Sequence, residues 1–134
     1  MGQQMAKRFS LFAELAEAKV VIPVPLFKTR EIKRGYNQSE LLARAFCAHT
    51  KLALDVTSLV RVRDTGSQTK LGRAQRVENM SGAFLVKNPA AVKGKIVLLI
   101  DDVATTGSTL ESCAQALRQA GAKRVLAYTF AREN

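Results

Sequence analysis

The stretch that decides the fold reads KIVLLIDDVATTGSTL, residues 95–110 of the 134-residue chain. Its apolar run over residues 96–100 is rich in β-branched and leucine side chains, which is typical of a strand buried on both faces of a parallel sheet. Asp101 and Asp102 are predicted to end that strand, and residues 110–120 have the pattern of a helix. The segment therefore predicts a strand, an acidic pair, a turn and a helix, in that order.

The turn between the acidic pair and the helix is suited to holding a phosphate group. Free backbone N–H groups and the positive end of the helix dipole converge there with small hydroxyl side chains, and a glycine lets the backbone approach closely. A simple helix cap needs one hydroxyl, so it explains neither four of them nor the neighbouring acids. The turn consists of Thr105, Thr106, Gly107, Ser108 and Thr109.

The two aspartates fall at the carboxyl end of a strand, where open α/β sheets bind their ligands. Carboxylates in that position suit either the hydroxyl groups of a sugar or a Mg²⁺ ion that keeps its waters. A ribose 5-phosphate with a magnesium-bound leaving group would use both parts of the site. The chain has neither G-x-x-x-x-G-K-[ST] nor G-x-G-x-x-G, which argues against a P-loop NTPase and a dinucleotide-binding fold.

Composition predicts one globular domain over residues 1–134 with a cytoplasmic location. Apolar residues make up 47% of the chain, but no apolar run approaches the ~20 residues of a membrane span, and the N-terminus lacks a signal-peptide pattern. Cys47 and Cys113 fall in predicted helices and form no paired motif, which favours packing thiols over a disulfide or a zinc site.

The net charge of +10 favours an anionic partner, either nucleic acid or a polyphosphate substrate. Nine cations fall in two segments that we interpret as loops, and the function has to account for them. The first segment holds Lys28, Arg30, Lys33 and Arg34, and the second holds Arg61, Arg63, Lys70, Arg73 and Arg76.

The rest of the chain alternates strand and helix patterns, which predicts a parallel sheet flanked by helices. Residues 64–81 lack an apolar period and are interpreted as a mobile segment or an irregular hairpin. Helices are predicted over residues 3–18 and 40–49, the second capped by Asn37 or Ser39, and strands over residues 19–24, 57–62, 83–86 and 124–130.

Residues 97–109 resemble the signature of type I phosphoribosyltransferases: four apolar residues, two acids, two apolar residues and a Thr-Thr-Gly-x-Thr loop. Only Ala104 departs from it, being small where a larger aliphatic residue is usual. Nearly the whole chain from Lys19 resembles the competence protein F (ComF) family, also described as amidophosphoribosyltransferases. That wider resemblance rests on the segments PVPL (23–26), KRGYNQ (33–38), QTKL (68–71) and RVENMSGAF (76–84).

The resemblance implies a fold and a reaction. The fold is α/β, a type I phosphoribosyltransferase-like, mainly parallel twisted sheet flanked by helices, with a flexible loop and a minimal hood. The reaction is the Mg²⁺-dependent transfer of phosphoribosyl from phosphoribosyl pyrophosphate (PRPP) to a nitrogen nucleophile, with release of pyrophosphate. Ammonia, a purine and an unrelated acceptor all remain open.

The resemblance also assigns residues. PRPP would be bound by Asp101, Asp102, Ala104, Thr105, Thr106, Gly107, Ser108 and Thr109. The pyrophosphate loop would be Pro25, Leu26, Phe27, Lys28, Thr29 and Arg30, and the flexible loop would contribute Lys70, Arg73 and Arg76. Asp101 and Asp102 are the catalytic residues expected, and Mg²⁺ would be held through PRPP with these two aspartates as its direct candidates. No dedicated general base is evident.

One departure from the ComF pattern concerns the N-terminus. Members commonly carry an N-terminal cysteine-rich zinc module, for which this sequence has no residues. We expect either a transferase-like domain lacking that module or a short member of the family. The rival function is a non-catalytic PRPP-sensing or DNA-binding component of competence, with DNA or other competence proteins as partners. A homodimer is compatible with either function.

Overall fold

The structure is a computed structural model of the chain, and it describes residues 17–26, 35, 37–62, 82–104 and 108–132. The predicted helix over residues 3–18 lies almost entirely outside these ranges. The strands are β1 (Val20–Pro23), β2 (Ala53–Leu54), β3 (Leu59–Arg61), β4 (Phe84–Val86), β5 (Ile96–Ala104) and β6 (Arg124–Arg132). The helices are α1 (Gln38–Thr50) and α2 (Ser108–Gln119), and a 3-10 turn spans Pro89–Ala91.

Four strands form a parallel sheet in the order β2-β1-β5-β6, which confirms the predicted parallel architecture. β5 lies between β1 and β6, with Val97 opposite Val20 on one side and Val125 on the other. β2 was not predicted, because two residues are too few to produce a recognisable period. It pairs with the outer side of β1 and follows α1 directly.

β3 and β4 form a separate antiparallel ribbon rather than joining the parallel sheet. Leu59 lies opposite Val86, and Arg61 lies opposite Phe84. The buried side chains of this ribbon pack into the same core as the helix α2. The segment that joins the two strands, interpreted from sequence as mobile or as an irregular hairpin, lies outside the described residues.

Alternate residues of β5 belong to two different cores, as expected for a strand buried on both faces. Val97 and Leu99 pack with residues of α2 and the ribbon, whereas Leu98 and Ile100 pack with residues of α1. All four side chains are fully buried. The buried run predicted from sequence is therefore the central strand of the domain, with a helix against each face.

β5 is longer than its apolar run, so the prediction that Asp101 and Asp102 end the strand is wrong. β6 continues beside it to Arg132 and supplies backbone partners up to Ala104. β1 stops at Pro23, opposite Ile100. Beyond that point β5 is paired on the β6 side, and the acidic pair lies where the sheet narrows.

Within the part of the chain that the structure describes, no helix combines the length and apolarity needed to cross a membrane. Cys47 and Cys113 are both buried and neither forms a disulfide, which agrees with packing thiols. Burial raises the pKa of the Cys47 thiol to about 11, so that thiol stays protonated at neutral pH.

Candidate functional site

The acidic pair lies at the point of the sheet where the chain connections diverge. After β1 the chain passes through α1 to β2 on one side, and after β5 it passes through α2 to β6 on the other. Such a divergence opens a crevice outside the carboxyl ends of the two central strands, which is where open α/β sheets bind ligands. The topology thus places Asp101 and Asp102 in the crevice between β1 and β5.

Asp101 is buried, with 8% of its surface exposed, and its carboxylate is held by two hydrogen bonds. The Ser39 hydroxyl donates to Oδ1 at 3.0 Å, and the backbone N–H of Asp102 donates to the same oxygen at 2.9 Å. Ser39 is itself buried, in the first turn of α1. One carboxylate oxygen therefore ties the end of β5 to the beginning of α1.

Asn37 fixes the beginning of α1 from the other direction. Its side-chain oxygen accepts hydrogen bonds from the backbone N–H groups of Ser39 at 3.0 Å and Glu40 at 3.4 Å, which makes it the N-cap. Its amide nitrogen donates to the backbone oxygen of Val24 at 3.2 Å. Asn37 is therefore the cap, and Ser39 is released from that role to bind Asp101.

The environment of Asp101 favours the protonated carboxyl. Burial and the adjacent carboxylate of Asp102 together raise the pKa of Asp101 to about 7, although the hydrogen bonds from the Ser39 hydroxyl and the Asp102 backbone act in the opposite direction. Burial also raises the pKa of the Cys113 thiol on the neighbouring face of α2, with a contribution from the Asp101 charge. Cys113 is thus a packing residue beside the site, without thiolate chemistry.

Asp102 differs from its neighbour because its side chain is only half-buried. Its backbone N–H lies 3.3 Å from the Ser39 hydroxyl oxygen as well as bonding Asp101, so its backbone is held while its side chain stays partly exposed. Successive residues of a strand point to opposite faces, so the two carboxylates cannot make the same contacts. Asp102 is the more accessible of the pair to a ligand.

Several of the other predicted site residues fall at the same edge. The N–H of Val24 bonds the carbonyl of Ile100 at 2.9 Å, which brings the following residues, Pro25 and Leu26, beside the end of β5. Ala104 is the last residue of β5, and Ser108 and Thr109 begin α2. The other predicted residues lie outside the described ranges: Phe27, Lys28, Thr29, Arg30, Lys70, Arg73, Arg76, Thr105, Thr106 and Gly107.

Arg61 was counted from sequence among the loop cations and was also included in the predicted strand over residues 57–62; the structure confirms the strand and places Arg61 in β3. Its guanidinium lies over the ring of Phe84, 5.3 Å from the ring centroid, in a cation–π arrangement across the ribbon. Its charge also acts to lower the pKa of Cys113. Arg61 therefore packs against the core on the α2 side.

The residues present fit a magnesium ion bound mainly through its substrate. The part of the chain that the structure describes contains no group of three or more His, Cys, Asp and Glu able to enclose a metal. Mg²⁺ is commonly bound by one or two carboxylates together with substrate phosphates and water. The half-buried Asp102 beside Asp101 provides that kind of carboxylate site.

The parallel sheet, the diverging connections and the acidic pair before a helix are the features expected of a phosphoribosyltransferase domain. The model of the phosphoribosyl transferase domain family matches residues 21–134, and the chain belongs to that family. The structure of a Bacillus subtilis glutamine PRPP amidotransferase, solved with ADP and GMP, is similar at a TM-score of 0.64 and 23% identity, covering 96% of this chain and 25% of that one. The predicted type I phosphoribosyltransferase fold is confirmed.

Among the curated proteins, the chain is similar to members of the competence protein F group, as predicted. The chain is 37% identical over 112 residues to the DNA utilization protein YhgH of Salmonella typhi, covering 84% of this chain and 48% of that protein. It is 33% identical over 120 residues to competence protein F of Haemophilus influenzae, covering 89% and 52%. The chain thus spans about half the length of the curated relatives it matches.

Sequence reasoning missed the bond between Ser39 and Asp101. The two residues are 62 positions apart, and Ser39 was considered only as a cap for its own helix. The available signal was topological: a hydroxyl at the start of the helix after β1 and an acid at the end of β5 meet at one edge when the two strands are parallel neighbours.

Proposed function

We propose that this domain binds PRPP in the crevice between β1 and β5 and transfers its phosphoribosyl group to a nitrogen nucleophile. The observation that supports this proposal most strongly is the acidic pair near the carboxyl end of β5, two residues before the hydroxyl-rich segment that leads into α2. In the proposed reaction the nitrogen lone pair forms a bond to C1 of the ribose. The bond from C1 to the pyrophosphate oxygen breaks, and pyrophosphate leaves with that electron pair.

The two aspartates have different tasks in this proposal. Asp102, the more accessible, accepts hydrogen bonds from the ribose hydroxyls and can take up the proton that the nucleophile loses. Asp101 is a positioning residue, because its Oδ1 is already bonded to Ser39 and to the backbone of Asp102. It holds the end of β5 against α1 while its neighbour contacts the sugar.

The phosphates would be held by the segments on either side of the pair. Thr105–Thr109 would bind the 5-phosphate at the beginning of α2, and Pro25–Arg30 would bind the pyrophosphate after β1. Lys70, Arg73 and Arg76 would cover the bound substrate and exclude water from the reacting carbon. Mg²⁺, bound through the pyrophosphate and Asp102, would supply charge stabilisation for the leaving group.

Calorimetry of PRPP binding tests the proposal, with and without Mg²⁺, on the parent, Asp102→Asn and Glu17→Gln. The two substitutions remove one negative charge each, but Glu17 is exposed and bonded to Arg124 at the start of β6, away from the crevice. Losing charge-assisted hydrogen bonds to the ribose, worth about 1.5–3 kcal/mol, weakens binding roughly 10- to 100-fold in Asp102→Asn. Glu17→Gln should bind like the parent. Equal PRPP affinity in all three proteins would contradict the assignment of the site.

A second candidate function is a non-catalytic one, in which PRPP occupancy regulates a DNA-handling step. It is favoured by the names of the relatives, a DNA utilization protein and a competence protein. Pyrophosphate release separates the two functions when PRPP is offered with ammonia or purine bases. Binding without release under all acceptors would support the sensing role.

A further inference from the structure

The amino edge of the parallel sheet, opposite the acidic crevice, carries a cluster of exposed cations. One or two cations directly precede or begin each of three neighbouring strands, and one more lies in the turn before β5. This amino-edge cluster consists of Lys19 before β1, Lys93 and Lys95 before β5, and Lys123 and Arg124 at the start of β6. All five side chains are exposed.

Backbone hydrogen bonds fix the spacing within the cluster. The N–H of Lys123 donates to the carbonyl of Lys95 at 2.9 Å, so these two lysines are direct neighbours, each just before one of two adjacent strands. The N–H of Lys19 likewise donates to the carbonyl of Ile96 at 2.8 Å. Lys93 joins them across Gly121, where a β-carbon would lie 3.3 Å from its Cγ. The cations therefore extend over three strands, about 10 Å across.

The packing of the fold does not require this concentration of charge. Like charges opposite each other on neighbouring strands destabilise a sheet, so the Lys95–Lys123 pair costs stability. Among the described residues, the ion pair of Arg124 with Glu17 at 3.3 Å is the one that reaches this cluster. Asp101 and Asp102 lie at the other end of β5, which separates the acidic crevice from the basic edge.

The distance between the two edges makes the cluster independent of the proposed transferase site. Lys95 and Asp101 are six residues apart on an extended strand, or about 20 Å. The Debye length at physiological ionic strength is about 8 Å, so the two sites are electrostatically screened from each other. The amino-edge cluster therefore does not serve to hold PRPP.

We propose that the amino-edge cluster binds the phosphate backbone of nucleic acid without reading its sequence. Lysine ammonium groups on flexible stems make point-charge contacts with phosphates, and a row of them suits a polymer that carries a charge every few ångströms. A small anion would contact only part of so wide a row. The large apolar side chains that are exposed among the described residues, Leu41, Val62 and Leu85, lie on α1, directly after β3 and on β4, so the described part of the edge has no apolar side chain to insert into a lipid surface.

The test compares two charge-matched variants of the full chain. Lys95→Gln/Lys123→Gln removes two charges from the cluster, and Arg44→Gln/Lys87→Gln removes two exposed charges elsewhere. Arg44 lies on α1 and is paired with Glu40, and Lys87 follows β4, where its N–H bonds Ser58. Fluorescence anisotropy of a labelled mixed-sequence DNA duplex is measured over a range of KCl concentrations.

The cluster variant is expected to lose affinity roughly 10- to 60-fold near 0.1 M salt, and its slope of log K against log salt to fall by about 1.8. The control should keep most of its affinity. Equal losses in both variants, or no duplex binding by the parent, would overturn the proposal. So would a parent that binds anionic phosphatidylserine vesicles but not DNA.

Two further readouts keep the result interpretable. Removing the like-charge pair should leave the unfolding midpoint of Lys95→Gln/Lys123→Gln unchanged or raised, so lost binding cannot be attributed to misfolding. Calorimetric PRPP binding should be the same in this variant as in the parent. Failure of the nucleic-acid proposal and failure of the PRPP proposal are therefore separate outcomes, since each has its own variant and its own ligand.

Discussion

The raised pKa of Asp101 leads to a specific prediction for the substitution Asp101→Asn. The asparagine keeps an Oδ1 that can accept the hydrogen bonds now made by Ser39 and by the backbone of Asp102. Its amide can donate towards the Asp102 carboxylate as a protonated Asp101 would. What the substitution removes is the cost of a negative charge on a buried group. We therefore expect Asp101→Asn to be more stable than the parent above neutral pH.

The magnitude follows from the pKa of about 7 in the folded protein against 3.8 for an ordinary aspartate. Below about pH 3.8 both states hold the proton, so the favourable effect of protonated Asp101 is fully present. Between 3.8 and 7 the unfolded chain releases the proton while the folded protein keeps it, so stability falls as pH rises. A difference of about three pKa units corresponds to about 4 kcal/mol at pH 8 and about 2 kcal/mol at pH 5. These are upper limits, because local relaxation and water reduce the cost of a buried charge.

Urea unfolding in the absence of Mg²⁺ and PRPP, at several pH values from 5 to 8, measures this effect. The advantage of Asp101→Asn over the parent should grow with pH. Asp55 provides a control whose pKa is shifted in the opposite direction. Burial acts to raise the pKa of Asp55, but hydrogen bonds from Ser58 and Thr57 hold it below its usual value. That contribution is present at neutral pH and is lost as pH falls, so Asp55→Asn should be less stable than the parent at pH 8. Parallel pH profiles of the parent and Asp101→Asn would refute the reasoning.

Three other substitutions test the supports of the crevice and of the amino edge. Asn37→Ala removes the cap of α1 and the bond to the carbonyl of Val24 after β1, and should lower the free energy of unfolding by about 1–2 kcal/mol, measured by urea titration. Ser39→Ala should raise the pKa of Asp101, because a hydrogen bond that lowers it is lost; NMR titration of the carboxyl measures this shift, and Ser39→Thr should restore the parent value. Gly121→Ala should lower the melting temperature, since Gly121 has φ +105° and a new β-carbon would crowd Lys93; an unchanged melting temperature would contradict this account.

The sequence predicted the sheet and the acidic site because both depend on local patterns. The apolar run at residues 96–100 is typical of a central strand, and two acids followed by a hydroxyl-rich turn indicate a ligand site at its end. The helix pattern over residues 110–120 likewise stops before Gly121, and in the structure the N–H of Ala122 bonds the carbonyl of Leu117 at 3.0 Å there. These features could be read from consecutive residues.

Features that depend on a distant partner could not be read in the same way. The end of β5 was placed too early because carboxylates usually mark a strand's end, whereas β6 pairs with it as far as Ala104. The different environments of Asp101 and Asp102 depend on Ser39, a residue of another helix. The cluster of charge on the amino edge was not predicted either, because its lysines are far apart in sequence and come together only when the three strands align.

The alternation of side chains along β5 places the two adjacent aspartates in different environments, one buried and one partly exposed. By position along the strand, Asp101 falls in the series of Val97 and Leu99, which face α2, and Asp102 falls in the series of Leu98 and Ile100. Beyond the last paired residue of β1, the Asp101 carboxylate nevertheless bonds Ser39 of α1. Inserting or deleting a single residue within the buried run would exchange the two series. The carboxylate that is now accessible would then be the buried one, and apolar side chains would face the wrong helices. The number of residues in this strand is therefore constrained by the alternation of its side chains. The strand tolerates substitution of its apolar residues by others of similar size, but adding or removing one residue would disrupt both the packing of the core and the arrangement of the site.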